Sequence, residues 1–186
     1  LNTSQITSGV LVDKITTFSN LINYNTTDIN LSDAGHFNQA LSELYRASDQ
    51  IKFISLTELK NRTAVTATSN SVDIGFINTT FHKLNFNEEN PSAGGLTYNQ
   101  INGKLSSIAG RPAFVSKKII IAAPLKEILT GNSFDFNFKN NLIFTNATTS
   151  IKTMVVDFED GAVPATIISN GAIVTSKKSI NYTTSG

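Results

Sequence analysis

Residues 133–139 read Ser-Phe-Asp-Phe-Asn-Phe-Lys, and this stretch has the most regular alternation in the chain. Phe134, Phe136 and Phe138 alternate with polar residues, and a period of two is typical of a β-strand with one buried face. Phenylalanine is also among the residues most often found in protein cores. We therefore predict a strand here that places its three aromatic rings on one buried face.

Strand-like segments and turn residues surround this stretch. The pairs Asn140-Asn141, Asp160-Gly161 and Asn170-Gly171 are typical of tight hairpin turns, where two successive residues take a positive φ. Short strands separated by such turns predict an all-β sandwich for residues 113–186. Its further strands are predicted at residues 114–122, 141–145, 151–158, 165–168, 172–175 and 179–182.

The first part of the chain predicts a mixture of helix and strand. Between residues 32 and 48 the apolar residues recur at helical spacing, and Ser32 or Asp33 can cap the start of this helix. A loop-like segment at residues 110–112 suggests a soft boundary. The fold class predicted is therefore mainly β, with an α+β region over residues 1–112 and the sandwich over residues 113–186. Strands are predicted in the first region at residues 10–17, 51–54 and 72–77, and one helical turn in the second at residues 124–129.

The composition excludes several classes of protein. Lys and Arg number 15 and Asp and Glu 14, so the clustered positive charge that non-specific nucleic-acid binding requires is missing. The lysine pairs Lys117-Lys118 and Lys177-Lys178 are interpreted as solvated edges. The longest apolar run, residues 119–125, is far shorter than the roughly 20 residues that cross a bilayer as a helix. The absence of cysteine excludes disulfide scaffolds and thiolate chemistry.

Few residues form a recognisable catalytic or metal-binding pattern. His36 and His82 lie outside the ligand spacings of metal sites, and the sequence contains neither a Gly-x-Ser-x-Gly motif nor a phosphate-binding glycine loop. The densest acidic group is Asp157, Glu159 and Asp160, and carboxylates converging from a tight turn are suitable ligands for Ca²⁺. The alternative is that Asp157 and Glu159 share a solvated face. Calcium is the one cofactor predicted, and no catalytic residue is assigned.

Residues 157–186 contain two short motifs that resemble a known family. They are Asp157-Phe158-Glu159-Asp160-Gly161 and Tyr182-Thr183-Thr184-Ser185-Gly186. Together they resemble the PKD-like, immunoglobulin-type modules of secreted bacterial proteins, especially the large surface proteins of Bacteroidota, many of which leave through the type IX secretion system. This chain has Glu159 where the family pattern usually has Gly. The resemblance implies a further strand after the second motif, so we expect a sandwich that is incomplete at its C-terminal end.

These patterns predict a non-catalytic module that binds, spaces or presents a partner within a larger secreted or cell-surface bacterial protein. Asn, Ser and Thr make up 62 of the 186 residues, which is common in bacterial surface modules. The expected partner is a protein or a glycan, and Tyr24, Tyr98 or Tyr182 could stack on sugar rings. Two alternatives stay open. One is an N-terminal accessory region of a secreted hydrolase with a pocket around His36 or His82, and the other is exported cargo bound to an outer-membrane secretion component.

Overall fold

The structure, a computed structural model, describes residues 1–12, 32–48, 54–64, 70–87, 89–146 and 150–183. Within these residues the chain is mainly β, with two α-helices and nine strands. Tyr24 and most of the strands predicted at residues 10–17 and 51–54 lie outside the described residues. The helices are α1 (Ala34–Ala47) and α2 (Leu56–Thr63). The strands are β1 (Ser71–Leu84), β2 (Leu96–Asn99), β3 (Lys104–Ser107), β4 (Phe114–Pro124), β5 (Ser133–Thr145), β6 (Thr153–Val156), β7 (Ala165–Ser169), β8 (Ala172–Ile173) and β9 (Lys177–Asn181).

Four strands form the main sheet, in the order β4-β1-β5-β9. Strand β1 is antiparallel to β4 and parallel to β5, and β9 is antiparallel to β5. The hairpin β2–β3 and the antiparallel sheet β6-β7-β8 are separate and smaller. Because β1 precedes residue 112 and its two neighbours follow it, the expected regions 1–112 and 113–186 share the main sheet.

Helix α1 covers one face of the main sheet and lies where the helical spacing predicts it. Its cap is Asp33, whose carboxylate accepts the backbone N–H of His36 at 2.7 Å and satisfies a donor at the helix start. Fully buried Phe37 meets Phe144 of β5 edge to face, with ring centroids 6.0 Å apart. This core also contains Ala40, Leu41 and Leu44 of α1 and Ile77, Ile119, Ile121 and Ala123 of the sheet.

The small sheet β6-β7-β8 covers part of the opposite face. Phe76 and Phe138 stack with ring centroids 6.2 Å apart, and they pack with Ile167 and Ile168 of β7. The alternation predicted in β5 is confirmed, because Phe134 and Phe138 are buried and Phe136 is partly buried in the same cluster as Phe138.

Strand β5 continues through the pair Asn140-Asn141, so the turn predicted there is wrong. The strand instead accommodates a bulge, since Ile74 of β1 lies opposite Phe138 while Phe76 lies opposite Ile143. An advance of two residues along β1 therefore corresponds to an advance of five residues along β5. The local turn signal fails because the parallel partner β1 keeps pairing on both sides of the extra residues.

Arg62 of α2 binds the backbone of this bulge. Its guanidinium donates to the carbonyl oxygens of Asn141 and Ile143, the latter at 2.7 Å, and lies 4.1 Å from the centroid of the Phe144 ring. Glu58 accepts from the same guanidinium at 3.0 Å. A bulge disrupts the ladder locally and leaves backbone groups unpaired. The arginine supplies donors for two of its carbonyl groups.

Two further turn predictions have different outcomes. Asn170 and Gly171 have φ values of 50° and 84° and connect β7 to β8, which confirms that hairpin turn. The helical turn predicted at residues 124–129 is wrong. Strand β4 extends to Pro124, opposite Ile74, and the N–H of Leu125 donates to the carbonyl of Asp73 at 2.9 Å, so this segment continues the pairing with β1.

Candidate functional site

A cleft of about 630 Å³ lies between the main sheet and the small sheet. Strands β1 and β4 line one side with Phe76, Asn78 and residues 118–122, and residues 150–156, which include β6, line the other. Ser32, just before α1, completes the lining. The two sheets therefore form the sides of one open site.

The cleft exists because the small sheet covers only part of its face of the main sheet. Along β4, Ile119, Ile121 and Ala123 pack under α1, so alternate residues point the other way. These residues are Lys118, Ile120 and Ala122, and all three are exposed. Ile120 is 38% exposed, although its neighbours on β1 are buried. The cleft thus offers apolar surface that no described part of the chain covers.

Both strands that border the cleft are edge strands within the described residues. Strand β4 pairs with β1 alone and β6 pairs with β7 alone. Successive side chains of a strand point to opposite faces, so a cavity beside one face touches every second residue. This cleft instead touches Ile120, Ile121 and Ala122 in succession, and all four residues of β6. Because Phe76 and Asn78 of β1 also line it, the cleft lies over the face of the main sheet as well as beside β4.

The charge of the cleft is positive. Among the described residues that line it, Lys118 and Lys152 are charged, one on each side, and none is acidic. Both side chains are exposed, and neither forms an ion pair with another described residue. The ammonium groups are thus available to an anionic group bound between them.

Asn78 is a buried polar residue in the lining of the cleft. It is 4% exposed, and its Oδ1 has no hydrogen-bond partner in the part of the chain that the structure describes. Leaving a buried polar atom unsatisfied costs about 1–3 kcal/mol. An N–H group of a ligand that reached this oxygen would recover part of that cost.

The first histidine, His36, has a structural role outside the cleft. Its Nδ1 lies 3.0 Å from Oδ1 of Asp33, and its backbone N–H donates to the same carboxylate. The pair closes the capping box of α1. His36 therefore stabilises the start of the helix.

The second histidine, His82, pairs with a serine that the sequence analysis does not single out. Its Nδ1 lies 2.8 Å from Oγ of Ser8, and its backbone N–H and C=O pair with Val10 and Val12. The same serine oxygen accepts the N–H of Val10 at 3.2 Å. No carboxylate among the described residues contacts His82, so the contacts fasten the N-terminal segment to β1. The hydrolase alternative gains no acid–histidine pair from them.

The acidic group in the β6–β7 connection binds its own backbone. Asp157 accepts the N–H of Glu159 at 2.9 Å, and Asp160 accepts the N–H of Ala162 at 3.1 Å. In the described part of the chain, no group of three or more His, Cys, Asp or Glu side chains is placed to hold a metal ion. The predicted calcium site of Asp157, Glu159 and Asp160 therefore gains no support from this geometry.

The two remaining tyrosines proposed for sugar stacking have different surroundings. Tyr182 is partly buried and donates from its hydroxyl to the carbonyl of Phe158 at 3.1 Å. Burial raises its pKa, and the charges of Asp160 and Glu159 raise it further. Tyr98 is 50% exposed on the β2–β3 hairpin, beside a second cavity of about 640 Å³ that Phe86 also lines. Of these two, Tyr98 is the one with an accessible ring.

Part of the cleft has a signal in the sequence. The alternation along residues 114–124 places Lys118 with Ile120 and Ala122, which distinguishes it from the neighbouring Lys117. Asn78 interrupts an apolar strand, which is a second signal. Residues 150–156 have none, because only the three-dimensional fold brings them opposite β4.

Comparison of the chain with protein families, with curated proteins and with solved structures gives no match in any of the three. Among the described residues, no helix has the length and apolar character needed to span a membrane.

Proposed function

We propose that this chain is a non-catalytic binding module and that the cleft between β4 and β6 is its binding site. The observation that carries the proposal is an open apolar cleft lined by two lysines and by a buried asparagine with an unpaired oxygen. Binding sites of this kind combine an apolar lining with a few polar groups that fix orientation.

The lining specifies the chemistry of the ligand. Phe76, Ile120 and Met154 favour an apolar body, and burial of such surface is worth about 25 cal/mol per Å². Lys118 and Lys152 favour a negative charge on that body. The ligand class is therefore an amphipathic anion or an acidic segment of a partner protein.

Titration with 1-anilinonaphthalene-8-sulfonate tests this site, because the probe joins apolar rings to one sulfonate. The native protein should enhance its fluorescence at a single saturable site. Lys118→Glu places a negative charge at the cleft and should weaken binding about tenfold, equal to about 1.4 kcal/mol.

Lys117→Glu is the matched control, since it makes the same charge change on the adjacent residue, whose side chain points to the opposite face of β4. It should leave the affinity unchanged. Equal affinity in Lys118→Glu and the native protein would refute the assignment of the cleft, and so would an equal loss in both variants.

The biological setting that we propose is a secreted or cell-surface bacterial protein in which this module is one part. The support is the resemblance of residues 157–186 to PKD-like, immunoglobulin-type modules, together with the Asn-, Ser- and Thr-rich composition. The genomic reading frame tests this directly. An export signal or further surface modules in the frame are expected, and a frame that encodes neither would contradict the proposal.

A further inference from the structure

We infer that the ligand of the cleft is an N-acyl amino acid, in which an apolar acyl chain is joined through a secondary amide to a carboxylate. This inference rests on the proposed function, because it takes the cleft as the binding site. It goes further by naming the class of ligand and by matching each part of that ligand to a part of the lining.

The pairing of β1 with β4 sets the order of the groups along the sheet side of the cleft. Three successive cross-strand pairs share this face, each two residues further along β1: Phe76 with Ala122, Asn78 with Ile120, and Thr80 with Lys118. Since a strand rises about 3.3 Å per residue, the three pairs cover about 13 Å. The face therefore changes from an apolar end at Phe76, through the carboxamide of Asn78, to a positive charge at Lys118.

The Phe76 end of the cleft suits a hydrocarbon chain. Met154 and Val156 of β6 pack in the same cluster as Phe76, and Ala122 lies opposite Phe76 on β4. These side chains are apolar, so burial of a hydrocarbon chain against them is favourable. The polar backbone of a peptide would instead need hydrogen-bond partners when buried there. The apolar part of the ligand is therefore an acyl chain.

Asn78 selects a ligand with a donor next to that chain. Its side chain is buried in the lining, and its Oδ1 has no hydrogen-bond partner among the described residues. The N–H of a secondary amide can donate to this oxygen without bringing a charge into the apolar part of the cleft. An ionised fatty acid has only acceptors and would leave the oxygen unsatisfied. The oxygen therefore distinguishes an acyl amide from a simple fatty acid.

The lysines account for the carboxylate of the ligand. Lys118 is two residues from Ile120 on the same face of β4, so its charge and the apolar lining meet the ligand from the same side. Lys152, two residues before Met154, adds positive charge on the other side of the cleft. No described residue of the lining is acidic. A ligand with its carboxylate at one end of an apolar chain matches this arrangement.

Two ligands of equal length and charge test the role of the amide. N-octanoylglycine joins an eight-carbon chain to a carboxylate through an amide, and octanoyloxyacetate has an ester oxygen in place of the N–H. Isothermal titration calorimetry measures the affinity of the native protein for each of them. The amide should bind at least about tenfold more tightly, equal to about 1.4 kcal/mol, because it alone donates to Asn78.

Substitutions test the same contacts from the protein side. Asn78→Leu keeps a side chain of similar size without the oxygen, so it should bind the amide and the ester with equal affinity. Lys118→Glu should weaken both ligands by a similar factor, about tenfold, because they share the carboxylate. Lys117→Glu is again the control, since its side chain points to the opposite face of β4, and it should bind both ligands as the native protein does. If Asn78→Leu does not fold, the two ligands on the native protein decide alone.

The outcomes separate the inference from the proposed function. Equal affinity of the native protein for the amide and the ester would overturn the inference. Tighter binding of 3-hydroxyoctanoate than of the amide would also overturn it, because the donor would then be a hydroxyl. Saturable binding of 1-anilinonaphthalene-8-sulfonate at the cleft without binding of either acyl ligand would overturn the inference and leave the proposed function standing. Absence of binding for the dye and for both acyl ligands would overturn both.

Discussion

Gly75 of β1 should not tolerate even one additional methyl group, because helix α1 packs directly on its backbone. A Cβ atom built at Gly75 would lie 2.5 Å from Cζ and 2.8 Å from Cε2 of Phe37, and 2.9 Å from Cδ2 of Leu125. Carbon atoms in contact are normally about 3.5–4.0 Å apart, so the ring would have to move by about 1 Å. Phe37 is fully buried and also contacts Phe144, which restricts that movement.

The expected cost of Gly75→Ala follows from these contacts. Overpacking of a closely packed core typically costs about 1–3 kcal/mol. Replacing glycine in a strand by alanine returns roughly 0.5–1 kcal/mol, because the unfolded chain loses freedom. The difference lies between about 0 and 2.5 kcal/mol, so we expect Gly75→Ala to lower the free energy of unfolding by about 1 kcal/mol.

Urea unfolding followed by far-ultraviolet circular dichroism measures this change in a chain without tryptophan. The same substitution in a Phe37→Leu background should cost clearly less, since leucine lacks the ring atoms that obstruct the new methyl group and only the close approach to Leu125 is left. Gly35→Ala is the matched control, because its Cβ would approach only the Asp33 carboxylate, at 3.2 Å. A Gly75→Ala protein as stable as the native one, or an equal cost in both backgrounds, would refute the reasoning.

Two further predictions concern titrating groups near strand β9. The pKa of Asp135 is lowered from 3.8 by hydrogen bonds from Lys177 and Ser179. The ionised carboxylate therefore stabilises the folded protein at any pH above the pKa that Asp135 has in the unfolded chain. This stabilisation is lost as the pH falls through the lower pKa of Asp135 in the folded protein. Asp135→Asn should therefore unfold at lower urea concentration than the native protein at neutral pH, and a difference that persisted in strong acid would contradict this. The pKa of the Tyr182 hydroxyl should lie above 10.0 in an absorbance titration. The double variant Glu159→Gln and Asp160→Asn should lower that pKa. An unchanged titration would show that these two charges do not act on the phenol.

Local sequence patterns were sufficient for the elements whose partners lie close by in the chain. The spacing of Phe37, Leu41 and Leu44 predicts α1, and the alternation of phenylalanines predicts the first half of β5. Helix α2 was missed although it has a signal, since Ser55 and Glu58 form the Ser-x-x-Glu pattern of a helix start, and Ser55 does accept the N–H of Glu58.

The course of β5 could not be predicted from neighbouring residues. Its parallel pairing with β1 places Ile74 opposite Phe138. Such contacts between residues far apart in the sequence produce no periodic pattern within a short segment of the chain. Asn140-Asn141 is a reasonable turn by local propensity, but pairing with β1 on both sides overrides it. The cleft could not be predicted from the sequence for the same reason, because β6 lies opposite the open face of β4 only in the folded chain.

The bulge of β5 also determines which changes of chain length this region can accept. It adds three residues to β5, and because that number is odd, Phe138 faces the small sheet while Phe144 faces α1. Deleting or inserting one residue between them would exchange the two faces for every residue that follows, since side chains alternate in a strand. A change of two residues would keep Phe144 under the helix. Among related chains, insertions and deletions in this segment should therefore occur in even numbers.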